Sequence, residues 1–201
     1  MLRRHVYYKR NEKHQLKVRP LYPDEVKLIE QSRSNNRRAQ KQLYDKYAPK
    51  MLSVCRYYVK DIHHAEDLLM QGFFKAFTHL HQFGRTDNFE GWLRKIMVRE
   101  ALSFLRKKNS LIFSDEDYIF KDLSTPAAAE LTVEHIQNLI DQLPENQKIV
   151  FILYAIEGYS HKEISKELKI PVGTSKSYLS RGRNSLQEQI KISHSNKNES
   201  I

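Results

Sequence analysis

The stretch that decides the fold runs from Leu143 to Gln187 and reads LPENQKIVFILYAIEGYSHKEISKELKIPVGTSKSYLSRGRNSLQ. Ser160 is followed three residues later by Glu163, a capping box, and the short helix it opens places Ile164 and Leu168 on one side. Ile170-Pro171-Val172-Gly173 does not continue a helix comfortably, so the chain turns, and Thr174 is positioned to cap a second helix. In that helix Ser175, Leu179, Gly182, Leu186 and Ile190 make an inner stripe. Ser177, Ser180, Arg181 and Asn184 make the outer surface, flanked by Lys176 and Tyr178. Two helices joined by a tight turn, with a polar and cationic outer face on the second, have the geometry that enters a DNA major groove. Paired helices also build domains that bind no DNA, so the spacing points towards DNA without requiring it.

Upstream of this unit, Leu143-Pro144 resets the chain. Pro144 is suited to be the first residue of a helix that ends near Glu157, with Gly158 as its left-handed cap. Thr132 is placed to cap a preceding helix through Val133, Ile136, Leu139 and Ile140. Residues 110–130 mix acids, Ser, Thr and Pro126 without periodicity and read as a linker. Before the linker, a helix is expected from Phe89 to about Lys108. Leu93, Met97, Ala101 and Phe104 fall on one face, and Lys95, Arg99 and Arg106 share the far side. Leu102 falls among the cations, where packing within this domain does not account for it. Gly84 to Asn88 is a polar loop, and Ile62, Ala65, Leu69, Phe73, Ala76 and Leu80 mark a helix after Asp61. Ala39, Leu43, Tyr47, Met51, Val54 and Tyr58 mark a long helix interrupted by Pro49, which implies a kink or a break into two helices. A helix start is expected at Asp24, and residues 1–22 read as a flexible basic arm.

The chain of 201 residues carries only six Gly and six Pro, and long alternating runs are absent. The expected fold is all-α: two helical domains joined by a flexible linker, with a disordered tail from 193 to 201. With 40% hydrophobic residues the chain has enough apolar surface to fold. It has neither a membrane-length apolar run nor a signal-type N-terminus, so the expected location is the cytoplasm. The single Cys55 permits no internal disulfide and suits buried packing. The net charge of +10 is unevenly spread: residues 1–109 carry +13, residues 110–130 carry −4 and residues 131–201 carry +1. A basic excess of this kind attracts polyanions, nucleic acid foremost, and it also serves solubility. His63, His64, His79 and His81 lack the Cys or carboxylate companions of a metal site. No nucleophile motif, phosphate-cradling Gly loop or isolated acid pair is present, so neither an enzyme nor a cofactor is expected.

The run from Leu143 to Gln187 resembles the promoter-reading domain of extracytoplasmic-function (ECF) sigma factors of the sigma-70 family, and LuxR-type regulators share part of that pattern. AEDLLMQGFFKAF (Ala65 to Phe77) and NFEGWLRKIMVREALSFLRKK (Asn88 to Lys108) resemble the family's other half, in the same order. The overall likeness is to the members typical of Bacteroidetes. It covers roughly residues 25–108 and 131–190, with no room in the linker for the middle domain of housekeeping members. The resemblance implies a sigma-2-like domain over 23–109 and a sigma-4-like domain over 131–192.

Three sets of site residues follow from the resemblance. Glu66, Asp67, Gln71 and Lys75 match the helix that docks on the clamp helices of the largest subunit of core RNA polymerase. Met70 and Gln71 stand where the family usually has Gln and an acid. Asn88, Trp92, Lys95, Arg99 and Arg106 match the loop and helix that open the −10 element. There aromatics stack on unpaired bases and cations follow the backbone, although Trp92 equally suits a core position. Ser103 and Phe104 replace the common Asp and Tyr of that helix. Lys176, Ser177, Tyr178, Ser180 and Arg181 match the −35-reading positions, with Arg181 meeting a guanine edge or a phosphate. Tyr178 stands where Arg is frequent. The implied partners are core polymerase, promoter DNA and an anti-sigma factor. The rival readings are a stand-alone LuxR-type regulator using the second domain alone, and an RNA-binding or adaptor protein using the basic first domain.

Overall fold

The computed structural model describes residues 23–84, 88–108 and 132–198; the expected basic arm (1–22) and linker (110–130) lie outside the described residues. All described elements are helical, in two groups. The first comprises α1 (Pro23–Arg33), α2 (Arg37–Tyr58), α3 (Ile62–Thr78) and α4 (Phe89–Lys107). The second comprises α5 (Val133–Gln142), α6 (Glu145–Phe151), α7 (His161–Leu168) and α8 (Val172–Asn198). Among the described residues, no helix is long and apolar enough to cross a membrane.

Local chemistry sets most of the boundaries. Asn36, Asp61 and Thr132 each accept main-chain N–H bonds at the start of α2, α3 and α5, satisfying donors that a first helical turn leaves orphaned. Residues Leu43, Met51, Val54 and Tyr58 of α2 are buried, as are Ala65, Leu68, Leu69, Phe73 and Ala76 of α3. Helix α4 completes the three-helix bundle with Leu93, Met97 and Ala101. Gly72 lets α3 approach α4, because a Cβ there would run into the buried Met97 thioether. Helix α1 lies against α2, held by Lys46 Nζ donating to Glu25 Oε1 (2.9 Å) and by the Tyr47 hydroxyl donating to the same oxygen. Arg33 ties α1 to the turn after α3, donating to the carbonyls of Leu80 (3.2 Å) and Phe83. Cys55 is fully buried, and burial pushes its thiol up to about 12, which fits packing rather than chemistry.

Five expectations change. Helix α2 runs unbroken through Pro49; the chain instead breaks at Ser34–Asn36, where Asn35 takes a left-handed φ of 59°. Pro49 removes one N–H from the middle of the ladder, and the buried apolar face on both sides of it holds the helix in one piece. Pro144 is the N-cap of α6 rather than its first residue. That helix gives way to a π-helical turn, Ile152–Ile156, before Gly158 (φ 76°). Helix α8 starts at Val172, its first bond running from Ser175 N–H to the Pro171 carbonyl (3.1 Å), so Thr174 lies inside it and caps nothing. The same helix continues to Asn198, so the disordered tail expected from 193 does not hold for 193–198; no Gly or Pro after Gly182 stops it.

Candidate nucleic-acid interface

The second helical group forms the expected helix-turn-helix. Ser160 Oγ accepts from Glu163 N–H, and the Glu163 carboxylate accepts from Ser160 N–H (2.8 Å), which pins the first turn of α7. The turn is made by Lys169 in the left-handed region (φ 56°) followed by Ile170 and Pro171. Ser165 Oγ donates to the Ile170 carbonyl (2.6 Å) and closes it. Ser175, Leu179, Gly182 and Leu186 face inward on α8 as expected. Gly182 lies against Gln147 of α6, where a Cβ would meet Gln147 atoms at 3.5 Å. Lys176, Ser177, Ser180 and Arg181 are exposed along one side of α8, and Tyr178 is half-buried beside them. A stack steadies this helix: the His161 ring lies on Tyr154 at 4.7 Å, Arg183 covers the same Tyr154 ring at 5.3 Å, and His161 Nδ1 meets Ser175 Oγ at 2.9 Å. Partial burial and the neighbouring Lys176 and Arg183 charges lower the His161 pKa.

In the first group, Asn88 caps α4, its Oδ1 accepting from Gly91 N–H (3.3 Å). Trp92 is half-buried and packs on Phe83 (5.3 Å) and Phe89 (5.8 Å), so it belongs to the edge of the core and keeps one exposed margin. Lys95, Arg99 and Arg106 are all exposed. Arg106 Nη1 donates to the Glu167 carbonyl of α7 at 3.3 Å. Leu102, unexplained by the sequence, is fully buried together with Val98 and Leu105 on a second apolar stripe. Helical geometry puts Arg94 on that stripe's face. Arg94 bonds across to the second group: Nε donates to Glu157 Oε2 (2.5 Å) and Nη2 to Oε1 (2.8 Å). Burial disfavours the Arg94 charge, and the Glu157 bonds outweigh it, so its pKa rises.

On α3, Glu66, Asp67, Gln71 and Lys75 are exposed along one surface, with Lys75 Nζ donating to Glu100 Oε1 of α4 (2.7 Å). Sequence reasoning missed the apolar part of that surface. Phe74 is 74% exposed and Met70 58% exposed. Phe74 borders a shallow depression of 360 Å³ lined by Gln71, Lys75, Glu100, Ser103, Phe104 and Lys107. A signal was present, because Phe73 and Phe74 are successive and one helical step of about 100° separates their directions. Only one of them fits the buried stripe.

Comparison with known proteins identifies the class. Residues 43–111 match the family model described as Sigma-70 region 2, and residues 134–186 match Sigma-70, region 4. The chain therefore belongs to the sigma-70 family of DNA-binding transcription initiation factors. More narrowly, it is an RNA polymerase sigma factor of the ECF type. It is 28% identical over 179 residues to the ECF RNA polymerase sigma factor SigW of Bacillus subtilis (strain 168), covering 82% of this chain and 96% of that one. It is 29% identical over 177 residues to the RNA polymerase sigma-H factor of Pseudomonas aeruginosa, covering 81% and 92%. Among solved structures it resembles the sigma factor RpoE of Bartonella quintana in complex with the anti-sigma factor NepR (26% identity, TM-score 0.50, 76% of this chain and 96% of that one). The region 2 match disfavours the LuxR-type alternative, which uses only the second domain.

Proposed function

We propose that this sigma factor docks on the clamp helices of core RNA polymerase through the exposed face of α3, opens the −10 element along α4 and reads the −35 element with α8. In this reading residues 23–109 form the polymerase and −10 domain, 131–192 form the −35 domain, and 110–130 link them in a cytoplasmic protein. The likeness to Bacteroidetes-type members is carried as a resemblance of sequence alone.

The observation that carries the reading is the exposed face of α3, where Glu66, Asp67 and Gln71 surround uncovered Met70 and Phe74. An apolar anchor ringed by polar groups is the pattern of a protein-binding hot spot: the anchor supplies affinity and the ring fixes register. Lys95, Arg99 and Arg106 provide the exposed cations that follow a phosphate backbone, and the free margin of Trp92 provides a stacking surface. In the second domain, Arg181 and Lys176 stand on the exposed side of a helix of groove-reading type. The B. quintana relative is named as a complex with an anti-sigma factor, which supports a partner of that kind here.

The test is run-off transcription from a candidate promoter with purified core polymerase. Transcript is expected with the full chain, with loss of open complex but retained core binding in R99A/R106A. Absence of both transcript and stable core binding overturns the reading. Equal weakening of binding to every single strand, with promoter opening intact, favours the RNA-binding rival.

A further inference from the structure

Arg33, the last residue of α1, reaches across to the connection between α3 and α4. Its Nε donates to the Leu80 carbonyl (3.2 Å) and its Nη2 to the Phe83 carbonyl. Both carbonyls belong to one short turn, Leu80–Gln82 with Phe83 as its cap, in which Phe83 N–H also donates to Leu80 (3.2 Å). A helical turn ends on carbonyls that its own backbone leaves without partners, and the half-buried guanidinium ties two such groups together through charge-assisted bonds in a rigid fork. What hangs on the turn is the Phe83 ring, which is 3% exposed. It stands edge-on to Phe89 (5.4 Å) and lies against Trp92 (5.3 Å). Trp92 is the aromatic whose exposed margin is given above to a melted base. Arg33 is therefore linked to that stacking surface through Phe83 without itself lying on it.

We propose that Arg33 is a positioning residue for promoter opening: by holding the Leu80 and Phe83 carbonyls it sets the place of the Phe83 ring, and through it the face that Trp92 offers to an unpaired base. The inference rests on the −10 role given to α4 above. Three observations favour positioning over simple docking of α1. Docking has ties of its own, from Lys46 and Tyr47 to Glu25 and from Gln40 Nε2 to the Ser32 carbonyl (3.3 Å). Arg33 instead bonds to main chain, which cannot adjust by a change of rotamer, so the contact fixes backbone and not merely another side chain. The two bonds also bracket the turn at Leu80 and at Phe83, so they fix its orientation as well as its place. Stacking depends on ring overlap, so a tilt of Trp92 is felt in opening. It is not felt in core binding, which is placed above on the exposed face of α3.

The chain has a single tryptophan, so its selectively excited emission reports Trp92 alone. In the free full chain R33M, which keeps an apolar stem and loses every donor, is expected to shift that emission to the red and to raise its quenching by acrylamide. R33K, charged but without the planar fork, should fall between R33M and wild type. In holoenzyme reconstituted with core polymerase, permanganate reactivity of the −10 thymines of a candidate promoter should fall about ten-fold for R33M, as for partial loss of one base-stacking contact, with core affinity within about two-fold of wild type. Q40A/K46A loosens α1 elsewhere and should leave emission and opening as in wild type. Wild-type emission or wild-type opening in a folded R33M overturns the proposal, as does an equal loss of opening in Q40A/K46A. Circular dichroism checks folding; if R33M does not fold, R33K carries the test, and wild-type emission and opening in a folded R33K overturn the proposal. R99A/R106A controls the underlying reading. Normal opening in that variant refutes the −10 role of α4, whereas normal opening in R33M alone refutes only the role of Arg33.

Discussion

Two neighbouring phenylalanines on α3 should respond to the same substitution in opposite ways. Phe73 is 2% exposed inside the bundle and Phe74 is 74% exposed on its surface. Replacing Phe73 by Ala removes a buried ring and leaves a cavity, at a cost of about 3–5 kcal/mol, a large share of a small domain's stability. Replacing Phe74 by Ala should change stability by no more than about 0.5 kcal/mol. For Phe74 the loss falls on binding. A Phe side chain offers on the order of 200 Å², of which 74% is uncovered, about 150 Å². At about 25 cal/mol per Å² that surface is worth up to ~3.7 kcal/mol, and roughly half remains once incomplete coverage and the retained Ala methyl are allowed for. About 2 kcal/mol corresponds to a ~30-fold weaker complex with core polymerase. Thermal unfolding and interferometry on immobilised core polymerase, run on both variants, give the two readings. A folded F74A that binds core as tightly as wild type refutes the docking role of this face. An F74A as destabilised as F73A refutes the exposure itself.

Four other perturbations separate elements of the structure. Gly182→Ala should raise stability by about 0.5–1 kcal/mol, because a Cβ there meets Gln147 only at ordinary contact distance and Gly weakens a helix interior. Gly72→Ala should lower it by about 1–3 kcal/mol by pressing on the buried Met97, so melting curves for the two must move apart. Asp141→Ala strips Lys148, only 2% exposed, of its carboxylate and should cost about 3–5 kcal/mol in chemical denaturation; an unchanged midpoint contradicts the burial. His161 has its folded pKa lowered, so the stability its neutral ring contributes is present above the ordinary value of about 6.5 and is lost as pH falls through the lower folded value. The melting temperature of wild type should therefore fall faster than that of H161Q between pH 7.5 and 5, and parallel curves would contradict the assignment.

What was legible in the sequence was whatever a short-range rule controls. Asp61, Thr132 and the Ser160–Glu163 pair announced their helices because a cap is a bond between residues two or three apart. The buried stripes of α3, α4 and α8 followed from spacing, and Gly158 from the need for a positive φ. Pro49 misled because its local cost is outweighed by the burial of Tyr47, Met51 and Val54 on either side. Leu102 had no reading because Val98, Leu102 and Leu105 form a second stripe interleaved with Lys95, Arg99 and Arg106, and spacing alone does not say that both stripes of one helix are covered. Arg94 and Glu157 are 63 residues apart in sequence, and neither stands out from the solvated charges around it. Of the candidate sites, the charged and polar residues were legible through the resemblance. Met70 was noted only as a departure from the family pattern, and Phe74 only as part of a motif.

The π-helical turn connects these failures to the Arg94–Glu157 ion pair. In a regular helix from Glu145 to Glu157 every N–H would bond four residues back. Here Glu157 N–H reaches the Ile152 carbonyl (3.0 Å), five back, and Tyr159 N–H reaches Leu153 (2.9 Å), six back. One extra residue in a turn rotates everything after it by roughly 100°. The residues ahead of the turn keep Ile149, Val150, Ile152 and Leu153 in the core of the second domain. The acid beyond it is redirected outward to Arg94 on α4, and Gly158 then reverses the chain into the capping box of α7. A sequence reader applying a single 3.6-residue period across Glu145–Glu157 assigns Glu157 to the wrong side, and so misses the acid that pairs with Arg94. The same inserted residue sets the departure angle of the helix-turn-helix from α6. Restoring a regular helix by deleting one residue between Ile152 and Ile156 should therefore both break the Arg94–Glu157 pair and misalign α8, a paired defect that no single surface substitution reproduces.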